Sequence, residues 1–263
     1  MLCCASSFNY IINDIRDIER DKQHQEKMKK KPLASGELPM YFAVLLLIAV
    51  VGVMVFSVIF LIPNFGFIIM LILIILTGQF YNHFFKNYAF IDILVLSTGY
   101  LWRALSGVVI INDNISAWLF LAIFQVAMFL SIAKRKGDLL YLGEEKAIEH
   151  KKVYDQYSLK LLDQFHVLIA GSLFMTYSLY LILEFYPFES AINLKEFIMI
   201  FTIPISLYII MRFMYLTSSK PEIARRTEKV FLDKGVIIAG LFLVGILFFS
   251  FYFEIILEIL GIS

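Results

Sequence analysis

Seven apolar stretches dominate this 263-residue chain, at roughly 41–62, 66–81, 90–111, 116–134, 163–184, 195–216 and 236–259. A helix needs about 20 such residues to cross the hydrocarbon core of a bilayer. Lipid offers no hydrogen bonds, so each stretch must satisfy its own backbone as a helix. The sequence is 60% hydrophobic and only 17% charged, which excludes an ordinary soluble domain of this size. The expectation is an all-α polytopic membrane bundle of about seven full spans. It forms one integral membrane domain over 1–263, with polar segments at 13–36 and 134–162 and no internal repeat.

Charge placement orients the bundle. With the segment before the first span in the cytoplasm, every Lys and Arg except Arg103 and Lys195 falls on the cytoplasmic side. The net charge of +1 hides this segregation. The basic residues flank spans, which suits topology and anionic headgroups and gives no reason to expect nucleic acid. Nothing in the pattern specifies an oligomer. Cys3 and Cys4 are adjacent in an apolar stretch and read as reduced core residues. Met1 to Ile12 is apolar, too short to span, and lacks the basic start of a signal peptide. It reads as the second half of a helix whose beginning lies further upstream.

The segment "NDIRDIERD" at 13–21 gathers negative charge beside this apolar stretch. Asp14, Asp17 and Asp21 are spaced i, i+3, i+7 and share one helical face, which Asn13 joins through Asp17. Glu19 points elsewhere. Three carboxylates on one stripe repel, and a divalent cation would relieve them. Oxygen-only ligands suit Mg²⁺, which is commonly completed by substrate phosphates. The alternative is a solvated helix end with Arg16, Arg20 and Lys22 as partners.

The longer stretch "NDIRDIERDKQHQEKMKKKPLASGEL" resembles the first signature of the UbiA-type prenyltransferase superfamily. Asn13, Asp14, Asp17, Asp21, His24, Lys27 and the Pro32–Gly36 run all find places in it. Lys31 stands where that signature usually has Arg, and the His-to-Pro spacing is one residue longer. The resemblance implies a Mg²⁺–diphosphate site at Asp14, Asp17 and Asp21, supported by Asn13, Lys27 and Lys31.

Common members of the superfamily carry a second Asp-rich motif in a later cytoplasmic loop. Here that loop has Asp138 and Asp155 but no such cluster, and it follows the basic run Lys134, Arg135 and Lys136 at the end of a span. Cations there can bind phosphate directly, or act only as positive-inside anchors. The blocks "YNHFFKNYAFIDILVLSTGYLWRALSG" and "LSIAKRKGDLL" are similar to the decaprenyl-phosphate phosphoribosyltransferase branch. Tyr81, Lys86, Asp92, Gly99, Tyr100, Arg103, Gly107, Lys134, Arg135 and Asp138 carry that match.

The branch implies a Mg²⁺-dependent transfer of 5-phosphoribose from phosphoribosyl pyrophosphate to a polyprenyl phosphate in the lipid bilayer. It also implies an active site facing the cytoplasm of a prokaryotic plasma membrane, and a role in cell wall biosynthesis. Tyr81, Lys86, Asp92, Arg103 and the triplet Lys134, Arg135 and Lys136 are then substrate-binding candidates. Tyr81 and Lys86 are expected in the short loop of a hairpin. Asp92 and Arg103 are expected to share one polar cavity, because eleven helical residues separate them by about 16 Å, too far for a direct pair. Gly99 and Gly107 are expected at close helix contacts. Two other readings stay open: an aromatic prenyltransferase of the same fold, and a membrane transporter or scaffold.

Overall fold

The computed structural model describes residues 1–22, 31–112, 116–143, 145, 147–148, 151–185, 194–253, 255 and 258. His24 and Lys27 lie outside these residues. Among the described residues the only regular structure is helical. Among the described residues, seven helices are long and apolar enough to cross a membrane. They match the seven stretches expected from the sequence.

The chain groups into two compact units, Met1–Ser116 and Ala117–Ser263. In the first, α1 (Leu2–Lys22) packs against the short α2 (Pro32–Ser35) and against the spans α3 (Met40–Phe60) and α4 (Phe65–His83). The span α5 (Ile91–Ile111) packs on α4. Ala5, Met54, Phe67, Leu71 and Ile74 form the core, with Cys4 packed against it. Both cysteines are free, but Cys3 is exposed on α1 and is not a core residue. The outward side chains of α3, such as Leu45, Ile48, Phe56 and Phe60, are exposed apolar groups suited to lipid.

Local chemistry sets the ends of these helices. Asn64 caps α4 by accepting from the Phe67 N–H at 3.0 Å, and its amide donates to the Val109 carbonyl of α5 at 3.3 Å. Gly36 closes α2 in the left-handed region, at φ 81°. Phe90 precedes α5 at φ 67°, a strained conformation for a bulky residue. It turns the chain directly into the helix turn that carries Asp92.

In the second unit, α6 (Ala117–Leu142) packs on α7 (Leu159–Phe185). The sixth span is broken into α8 (Leu194–Ile200) and α9 (Thr202–Ser219). Pro204 accounts for the break, since it lacks an N–H and its ring crowds the preceding turn. The short α10 (Pro221–Arg225) lies on α6, and α11 (Lys234–Phe251) pairs with α9. Phe129, Ala133, Ala170, Phe213, Leu216, Val230 and Val236 form this core.

Three sequence expectations are corrected here. The fourth span runs on to Leu142, so Lys134, Arg135 and Lys136 lie inside a helix and not at its end. The charged groups beyond residue 134 mimic a loop in hydropathy, yet most are neutralised by partners described below. Tyr81 belongs to α4, and only Lys86 sits in the connecting 3-10 turn Phe85–Asn87. Gly107 has open space where a Cβ would stand, and Gly99 has only the Arg103 guanidinium at 3.9 Å. Close contacts fall instead at Gly66, Gly78, Gly137 and Gly235, where a Cβ would strike Val109, Asn9, the Ala224 backbone and Tyr208 respectively.

Candidate active site

The C-terminal half of α1 carries the acidic stripe, and the structure divides it in two. Asp14 and Asp21 face a common cation. The Lys31 ammonium lies 2.7 Å from Asp14 Oδ1 and 2.7 Å from Asp21 Oδ2. Asp21 is only 2% exposed, and this ion pair offsets part of the cost of burying its charge. Asp17 turns instead to Arg16 Nε at 3.5 Å and Lys86 Nζ at 3.9 Å. Partial burial alone would push the Lys31 pKa down, but its hydrogen bonds to Asp14 and Asp21 outweigh this and hold it above the ordinary lysine range.

Arg16 ties the stripe to α4. It meets His83 Nε2 at 2.6 Å and donates to the Asn82 carbonyl at 3.2 Å and Asn13 Oδ1 at 3.4 Å. Glu19 faces away as expected, paired with Lys22 at 3.0 Å, its side chain 87% exposed.

Below the stripe, a polar cavity of about 230 Å³ opens between α1, α4 and α5, lined by Asn9, Asn13, Tyr81, Tyr100 and Arg103 among others. Arg103 donates to Ser6 Oγ at 3.1 Å and to the Gly99 carbonyl at 3.3 Å, and its guanidinium lies 5.5 Å from the Tyr100 ring centroid. These contacts make a cation acceptable inside a span. Asp92, fully buried in the first turn of α5, does not line this cavity. The cavity reaches Val95 and Leu96, one turn on from Asp92. Ser6 and Asn9 are not among the residues singled out from the sequence, and Tyr100 enters there only through the branch resemblance. Asn9, an amide inside an otherwise apolar run, was the signal for them.

The second unit treats its basic triplet unequally. Lys134 is exposed, whereas Arg135 and Lys136 are 3% and 6% exposed. Lys136 Nζ meets Asp163 Oδ1 at 2.5 Å and donates to Ser218 Oγ at 2.8 Å. Arg135 lies over the Tyr154 ring, 5.8 Å from its centroid. Tyr154 donates to Asp138 Oδ2 at 2.5 Å, and Arg225 Nε lies 3.6 Å from Asp138 Oδ1. Burial pushes the Tyr154 phenol above its ordinary range, Arg135 opposes this, and Asp138 adds to it. Tyr154, Asp163, Ser218 and Arg225 complete this network from four separate segments, a grouping that no spacing rule could reveal.

Among the described residues, no three His, Cys, Asp or Glu side chains converge into a ready-made metal cage. Asp14 and Asp21 nevertheless fit a hard cation. They present carboxylate oxygens to one point, and the ammonium now there shows that the point accepts positive charge. Mg²⁺ is usually held by one or two carboxylates with water and substrate phosphates, so two are enough.

The sequence profile of the UbiA prenyltransferase family matches residues 1–235. The chain belongs to the UbiA prenyltransferase family. Curated relatives named decaprenyl-phosphate phosphoribosyltransferase include one from Mycolicibacterium smegmatis, 28% identical over 182 residues, which are 68% of this chain and 55% of the relative. Those from Mycobacterium tuberculosis and Corynebacterium glutamicum are each 27% identical, over 67% and 68% of this chain and 57% and 54% of theirs. This UbiA-family chain thus spans about half the length of the curated relatives it matches. A solved UbiA homolog from Archaeoglobus fulgidus, bound to GPP and Mg²⁺, superposes with a TM-score of 0.63 at 15% identity, covering 92% of this chain and 82% of that one. The fold is the UbiA fold, and with seven apolar helices the protein is an integral membrane protein.

Proposed function

We propose that this UbiA-family chain transfers 5-phosphoribose from phosphoribosyl pyrophosphate to a polyprenyl phosphate, with Mg²⁺, at the cytoplasmic face of a prokaryotic plasma membrane. The observation that carries this reading is the pair of buried cations, Arg135 and Lys136, in the part of the sequence where a prenyl-diphosphate enzyme would carry a second carboxylate cluster. Two substrates with phosphates that do not leave call for fixed cations, which hold phosphate by charge-assisted hydrogen bonds. The names of the curated relatives point the same way. The Mg²⁺ in the solved homolog supports a metal–diphosphate role for the acidic stripe.

Asp14 and Asp21 would hold the metal, with Asp17 and Asn13 beside them. Bound Mg²⁺ would stabilise negative charge on the departing diphosphate. Lys31, Lys27 and Lys86 are positioned in sequence or space to meet phosphate oxygens near that stripe. Tyr81 and Arg103 offer a phenol and a guanidinium to the polar cavity. Asp92 supports the same unit from inside α5. In the reaction the bond from the anomeric carbon to the diphosphate breaks, and the diphosphate leaves with the electron pair. A bond from that carbon to a lipid phosphate oxygen forms. The acceptor phosphate is already anionic, so no strong general base is needed.

The test supplies the chain in lipid nanodiscs with Mg²⁺, sugar-labelled phosphoribosyl pyrophosphate and polyprenyl phosphate. Label should enter the organic phase only when both substrates and Mg²⁺ are present. Transfer of a prenyl group from its diphosphate to an aromatic acid, with no labelled lipid, would overturn the reading in favour of an aromatic prenyltransferase.

A further inference from the structure

Lys31 occupies an unusual place for a surface lysine. It precedes Pro32 at the N-cap of α2, in extended backbone at φ −111° and ψ 111°. Its ammonium reaches back to α1 and sits between two carboxylates that lie seven residues apart, at 2.7 Å from each. One positive charge faces two negative ones. One of the two carboxylates is almost wholly buried.

We propose that Lys31 is a positioning residue: the resting counter-cation of the Asp14–Asp21 pair, which a divalent cation must displace in order to bind. The inference rests on the reading of that pair as the metal site. The charge count gives the consequence. A divalent cation neutralises both carboxylates and releases the ammonium, which then stands as a free positive charge beside the metal. An arriving diphosphate meets both. Lys31 thus opposes binding of the metal alone and favours binding of metal together with a phosphate anion. A lysine suits this exchange, being a flexible point charge, whereas an arginine would grip the carboxylates through its planar fork.

The probe is Mn²⁺ without substrate, its free concentration read by electron paramagnetic resonance, on the full chain in detergent. Lys31→Met should bind Mn²⁺ at least tenfold more tightly than wild type, about 1.4 kcal/mol. Lys31→Arg should bind it no more tightly than wild type. A second measurement uses thermal unfolding. Without divalent cation Lys31→Met should melt below wild type, because the buried Asp21 has lost this ion pair, and Mg²⁺ should raise its Tm by more than it raises that of wild type. If Lys31→Met does not fold, Lys31→Gln serves for the same comparison.

Equal or weaker Mn²⁺ affinity in the lysine-free variants would overturn the inference. If wild type then still binds Mn²⁺ and Asp21→Asn does not, the metal site stands and only the lysine's role falls. If neither wild type nor the lysine-free variants bind Mn²⁺, both fall.

Discussion

Gly137 of α6 lies directly against the backbone of Ala224 in α10, with no room for a Cβ between them. This contact lets α10 rest on the charged turn of α6 and brings Arg225 to Asp138. Gly137→Ala should therefore push the two helices apart. The expected cost is about 1–3 kcal/mol, as for other overpacked contacts. Thermal unfolding in detergent checks it, with Gly107→Ala, which has open space around it, as a near-neutral comparison.

The acidic stripe gives the next expectation. Asp14→Asn should lower kcat at least a hundredfold, about 2.7 kcal/mol of barrier, while the protein stays folded in the membrane. Asp17→Asn should also abolish turnover. Glu19→Gln, at an exposed side chain off that face, should be mild. A dispensable Asp17 with an essential Glu19 would contradict the assignment of the face.

The basic triplet should respond unequally to single alanine substitutions. Lys134 is exposed and Lys134→Ala should be close to silent. Arg135→Ala or Lys136→Ala should raise KM for a phosphate-bearing substrate at least tenfold, about 1.4 kcal/mol. Asp163→Asn separates the two roles of Lys136, since it breaks the ion pair but keeps the ammonium. A raised KM in Lys136→Ala that is absent in Asp163→Asn supports substrate binding. Three equally silent substitutions would argue against it.

Acid stability should depend on Asp233. Arg212 donates to both of its carboxylate oxygens at 3.0 Å, and Asp233 Oδ1 accepts from the Gly235 and Val236 N–H groups at the start of α11. The Arg212 hydrogen bonds, partly offset by desolvation and aided by those backbone donors, hold the Asp233 pKa below the usual carboxylate value of 3.8. A depressed folded-state pKa contributes stability above the unfolded value and loses it as pH falls through the folded one. Wild type should thus lose Tm below about pH 4, and Asp233→Asn should lose less over the same interval. Parallel curves would remove Asp233 from the account.

The spans were legible because lipid enforces a simple rule of length and polarity, which α3 and α5 obey closely. The helical face of Asp14 and Asp21 was legible for a similar reason, since it depends only on spacing. What lies beyond spacing was not. Hydropathy reads Lys136 and Asp138 as a loop, because it cannot see Asp163 and Arg225 neutralising them. The stripe looked like one three-carboxylate group because repulsion was visible in the sequence and the partners were not: Lys31 takes two of the three and Lys86 approaches the other. Tyr154 carried no periodic signal at all, yet it joins Arg135 to Asp138.

The most direct measurement follows two labels through one turnover. Phosphoribosyl pyrophosphate carries one isotope in its 5-phosphate and another in its diphosphate, and the chain is supplied in nanodiscs with Mg²⁺ and polyprenyl phosphate. The account predicts that the 5-phosphate label enters the lipid fraction while the diphosphate label appears as free pyrophosphate, and that Asp14→Asn stops both. Diphosphate label in the lipid, or label release that is unaffected by Asp14→Asn, would contradict it.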